Sequence, residues 1–115
     1  MPPVPAAIAS AHFRIASAGQ NAQAAIQSLK ARQVLRGRVS LQQVVSDLQH
    51  AADYLTAYGQ APNLTAYVKT LVQFYEGQLS SALRPAQAPT IAEILAANQG
   101  NLLASDPVLF PAVVN

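Results

Sequence analysis

The sequence predicts an all-α fold: an antiparallel helical hairpin, a long N-terminal helix, a short C-terminal helix, and extended, proline-containing arms at both ends. Three observations predict it. Apolar residues recur at three- and four-residue steps through most of the chain, the pattern of one buried helical face. Alanine and glutamine, both good helix formers, fill positions where lysine and glutamate are usual. No strongly alternating strand pattern is present, and no internal repeat of useful length.

The 115 residues are enough for one domain with a modest core. Charged residues make up only 10%, against roughly 25% in an average soluble domain.

Residues 1–5 carry three prolines and begin extended, with Pro5 suited to a first helical turn. A helix is predicted over 6–36. Ile8, Ile15, Ala22 and Leu29 fall at intervals of seven, with Ala11, Ala18, Ala25 and Ile26 between them, a seam like that of a coiled coil but dominated by alanine. Gly19, Gln20 and Asn21 form a candidate break. Unbroken, this helix extends about 45 Å at 1.5 Å per residue. Gly37 is its predicted end. Lys30, Arg32, Arg36 and Arg38 then lie in its last turns, where cations interact favourably with the helix dipole. Their functional alternative is contact with nucleic acid or another acidic surface, although no aromatic residue is interleaved with them.

The hairpin is predicted over 40–58 and 63–84. Ser40 and Gln43 have the spacing of a capping box. Leu41, Val44, Val45, Leu48, Ala52 and Leu55 follow on one face. Gly59 suits the left-handed position that ends a helix, and Pro62 cannot continue one. Asn63 is a good cap for the second helix, whose apolar set is Leu64, Tyr67, Val68, Leu71, Val72, Tyr75, Leu79 and Leu83, with Pro85 as its stop. The short connection makes the two helices antiparallel neighbours. The outer face of the second helix holds Ala66, Thr70, Gln73, Gly77, Ser80 and Ser81, small and uncharged for a solvated surface.

Residues 85–89 read as a stiff linker. Thr90 and Glu93 have capping-box spacing for a short helix over 90–98 carrying Ile91, Ile94 and Leu95, ended by Asn98 or Gly100. Residues 101–115 read as an extended apolar tail, because Pro107 and Pro111 exclude helix there.

The net charge of +2 conceals an asymmetry. Before Val39 there are five basic residues (Arg14, Lys30, Arg32, Arg36 and Arg38) and no acid. From Val39 onward two cations (Lys69 and Arg84) face five acids (Asp47, Asp53, Glu76, Glu93 and Asp106), a balance of −3. Opposite signs favour docking of the first part on the rest, or on an acidic neighbour.

Chemistry-bearing constellations are sparse. His12 and His50 are the only histidines. His50 and Asp53 share a helix face, but two ligands make no metal site. The acids stand singly, the serines lack a nucleophile-elbow setting, and the dispersed glycines form no phosphate-cradling loop. There is no cysteine. The reading is therefore non-enzymatic, with no cofactor and no metal. The N-terminus has no basic leader followed by an apolar core, and no apolar run approaches the roughly 20 residues of a membrane span. Cytoplasmic synthesis as a soluble protein is the expectation.

Partner-binding residues are expected where apolar or amphipathic side chains meet water. Tyr54 and Tyr58 share a flank of the first hairpin helix and read as interface anchors or as a cover for the core edge. Val108, Leu109, Phe110, Val113 and Val114 form an apolar tail that a free monomer leaves in water. This type of chain (small, Ala/Gln-rich, low in charge, with arm-like ends) resembles the subunits of large symmetric assemblies, among them tailed-bacteriophage head, neck and tail components. No motif carries that likeness. It implies a structural or adaptor subunit binding other protein subunits in a homo-oligomer or hetero-assembly, located in a virion if the phage reading holds. The alternative is a small helical regulator that binds nucleic acid through residues 30–38.

Overall fold

A computed structural model describes residues 6–81 and 84–103. The fold is all-α. Helix α1 spans Ala6–Lys30, α2 Val34–Tyr58, α3 Pro62–Ser81 and α4 Ala88–Leu103, with a 3-10 turn at Pro85–Gln87 leading into α4. Close backbone approach joins α1 to α2, α2 to α3, and α4 to α1.

The seven-residue seam is realised along the whole of α1. Ile8, Ala11, Ile15, Ala18, Ala22, Ala25 and Leu29 are all buried. The helix runs unbroken through Gly19, which is itself buried. Opposite them lie Leu41, Val44, Leu48, Ala51 and Leu55 of α2. Alanine on one side of a seam lets two backbones come close, and α1 against α2 is the most extensive helix contact. The organising pair is thus α1–α2, and the predicted hairpin of 40–84 appears as α2–α3.

Several helix ends differ from expectation, each for a local reason. The first helix ends at Lys30 and not at Gly37. Arg32 N–H bonds the Leu29 carbonyl at 3.0 Å and Gln33 N–H bonds the Ser28 carbonyl at 2.8 Å, with Arg32 in the left-handed region at φ 59°. These paired bonds form a Schellman stop. An arginine occupies the position that glycine usually takes, so the sequence hides it. Gly37 instead lies buried early in α2, where an added Cβ would stand 2.6 Å from Leu29 Cδ2. It is needed for close approach. Ser40, inside α2, caps nothing, and Arg36 and Arg38 belong to the start of α2.

Gly59 closes α2 at φ 73°, and its N–H bonds the Leu55 carbonyl. Pro62 opens α3, where its missing N–H costs nothing. The Ala61 carbonyl accepts from both Thr65 N–H (3.0 Å) and Thr65 Oγ1 (2.8 Å), so the helix begins there rather than from an Asn63 cap. Pro85 and Pro89 likewise stand at the beginnings of helical turns, so 85–89 is no linker and Thr90 lies inside α4. That helix continues past Asn98, whose Nδ2 donates to the Ile94 carbonyl at 2.9 Å. Residues 101–103 are helical, and the rest of the expected extended tail lies outside the described residues, as do residues 1–5.

From α3 the core receives Leu64, Val68, Leu71 and Tyr75, and from α4 Ala88, Ile91, Ala92 and Leu95. Tyr67, Val72 and Leu79 pack at its edge. Ile94 departs from the expected core set and is 38% exposed.

Candidate functional site

Three places stand out from the packing, all on the α1–α2 pair. The first is Asp47, the one buried charged residue among those described, 4% exposed. Residues 14, 17 and 21 of α1 recur at three- and four-residue steps and so share a stripe. Ser17 Oγ donates to Asp47 Oδ2 at 2.8 Å, and Asn21 Nδ2 donates to the same oxygen at 3.0 Å. Arg14 Nη1 reaches Oδ1 at 3.3 Å. Both carboxylate oxygens are engaged, so the group clasps α1 to α2 and offers nothing to a ligand.

The second place is a shallow groove between the N-terminal part of α1 and the C-terminal part of α2. It is lined by Ala9, Ser10, Phe13, Arg14 and Tyr54. Phe13 is 70% exposed, and Tyr54 presents an amphipathic ring beside it. Of the two expected tyrosine anchors, Tyr54 lines this groove while Tyr58 packs against the core edge. Phe13 escapes a reading by apolar periodicity, its one sequence signal being a position off the seam of α1. Val108, Leu109, Phe110, Val113 and Val114 lie outside the described residues.

The third place is the α1–α2 turn. Lys30, Arg32 and Arg36 are exposed there. Arg38 does not join them: it is partly buried, and its Nε is enclosed without a hydrogen-bond partner among the described residues. Two shallow grooves flank Leu35 and Arg36, one running to Arg32 and Val34, the other to Ser28, Val39 and Ser40. Leu35 and Val39 are large apolar side chains standing in water.

Tyr75 is a different case, buried in the core with no partner for its hydroxyl among the described residues. Burial, and then Tyr67 nearby, push its phenol up to about 12. Its ring stands edge-on to Phe74, centroids 5.1 Å apart.

Among the described residues no group of three or more His, Cys, Asp or Glu side chains stands together to hold a metal ion. His50 Nδ1 lies 2.7 Å from the Ser46 carbonyl. A carbonyl only accepts, so that nitrogen carries the proton. No described helix is long and apolar enough to cross a membrane. Comparison with protein-family models, with curated proteins and with solved structures finds no match to this chain.

Proposed function

We propose that this chain is a non-enzymatic structural or adaptor subunit of a larger protein assembly. The observation that carries the reading is the Phe13–Tyr54 groove. Elsewhere on α1 the large aliphatic side chains are buried, yet here an exposed phenylalanine and a tyrosine share one concave patch. Aromatic side chains of this kind anchor protein interfaces. Within that reading, a bacteriophage head, neck or tail component fits the low charge and the Ala/Gln-rich composition.

Sedimentation of the purified chain at micromolar concentration tests the proposal. The expected result is species heavier than the 12.1 kDa chain, dispersed by Phe13→Ser without loss of helicity. A stable, fully folded monomer under those conditions overturns it.

A second reading, a regulator that binds nucleic acid through the basic segment, draws on Lys30, Arg32 and Arg36 at the α1–α2 turn, none of which has an acidic partner among the described residues. Its signature is binding that weakens steeply with salt as counterions are released. Replacing Arg32 and Arg36 by alanine then weakens binding to every sequence alike. Absence of binding at low salt ends this reading.

A further inference from the structure

The α1–α2 turn joins two features that neither reading above uses together. Leu35 is 77% exposed and Val39 57%. They are four residues apart on α2 and therefore share one helical stripe. Arg36 lines both grooves beside Leu35, and Arg32 lines one of them. Lys30 is exposed at the end of α1. The nearest acid in sequence is Asp47, which is buried and engaged by three donors of α1. The turn thus holds an apolar pair flanked by cations, none of which makes an ion pair among the described residues.

We propose that this turn docks on an anionic lipid surface, Leu35 and Val39 entering the apolar layer while Lys30, Arg32 and Arg36 meet the headgroup phosphates. Charge complementarity requires an acidic partner. The shape and size of the patch select among such partners. A stable protein interface buries about 800 Å² on each side, far beyond what two aliphatic side chains on a helical turn supply. Nucleic acid would use the cations but has little use for exposed leucine and valine. A single strand favours aromatic side chains for stacking, and residues 30–40 include none; a duplex is held through its phosphates by the cations alone and leaves Leu35 and Val39 in water. A bilayer surface is fluid, adapts to a small grooved surface, and rewards both charge and aliphatic insertion. The inference is independent of the assembly proposal, whose groove lies toward the other end of the α1–α2 pair.

Co-flotation of the full chain with phosphatidylcholine vesicles, with and without phosphatidylglycerol, tests it. At low salt the chain is expected to float with the anionic vesicles and to stay behind with the neutral ones. Leu35→Ser combined with Val39→Ser should weaken flotation by about tenfold or more, and Arg32→Ala combined with Arg36→Ala should weaken it further and flatten its salt dependence. All four side chains reach solvent, so the helical circular dichroism should be unchanged. The chain has no tryptophan, so Leu35→Trp gives a single reporter, whose emission should shift to the blue on anionic vesicles alone. Failure to float at low salt overturns the proposal, as does flotation indifferent to the loss of Leu35 and Val39. Binding to duplex DNA in place of vesicles, with the tryptophan emission unmoved, assigns the turn to nucleic acid instead.

Discussion

Replacing Tyr75 by phenylalanine should stabilise this protein. The side chain is 0% exposed, and its hydroxyl has no hydrogen-bond partner among the described residues. A buried polar group left unsatisfied costs about 1–3 kcal/mol relative to the hydrated state it had before folding. Tyr75→Phe removes that group while keeping the ring against Phe74, so only the few contacts of one oxygen are lost. A net gain of about 1 kcal/mol is expected, equivalent to roughly 4 °C in melting temperature for a domain of this size. The pH dependence gives a second, independent readout. The folded phenol titrates at about 12 against its ordinary 10.0, so the native state holds this proton more tightly than the unfolded chain does. That contribution is fully present below pH 10 and is lost as the pH rises toward 12. It is on the order of 2 kcal/mol. The variant lacks this loss, so its advantage should widen between pH 9 and pH 11. Urea unfolding followed by circular dichroism at several pH values measures both effects. A variant less stable than the parent at pH 7 would show that the hydroxyl has a partner in the folded protein and that its burial carries no penalty.

Gly37→Ala should destabilise by about 1–2 kcal/mol, because overpacking against the buried Leu29 outweighs the gain in helix propensity; chemical denaturation measures it, and an unchanged midpoint would mean that Leu29 yields freely. Gly77→Ala has the opposite sign. Its Cβ would meet nothing within 4 Å, so a gain of about 0.5–1 kcal/mol in the same assay is expected from propensity alone. Asp47→Ala should cost about 2–3 kcal/mol by stripping three donors of their acceptor. Asp47→Asn, which keeps the shape but not the charge, should cost less; equal losses would place the effect in packing instead of the charged network.

The sequence determined the features whose causes are local. Helix is legible because burial on a helical face repeats every three to four residues, so the α1 seam from Ile8 to Leu29 and the α2 stripe from Leu41 to Leu55 can be read without any partner in view. Gly59 is legible because a left-handed stop favours glycine. The basic segment is legible as a cluster, since Lys30, Arg32 and Arg36 are neighbours in the chain. The same local logic misplaced the end of α1. Gly37 looks like a stop until Leu29 lies over it, and Arg32 does not look like one.

What only the tertiary structure decided is which side chains are taken out of water by something distant in sequence. Asp47 looks like any surface acid until Arg14, Ser17 and Asn21 converge on it from another helix. Arg38 reads as one more cation of the basic cluster until packing encloses its Nε. Phe13, Leu35 and Val39 stand off the buried stripes of their own helices, but a position off a stripe does not say whether another element covers it. They remain in water because the alanine-rich seam satisfies the packing of α1 on α2 and no described helix covers them. Periodicity is a property of one helix, whereas coverage is a property of how several helices are arranged, and coverage is what placed the candidate surfaces.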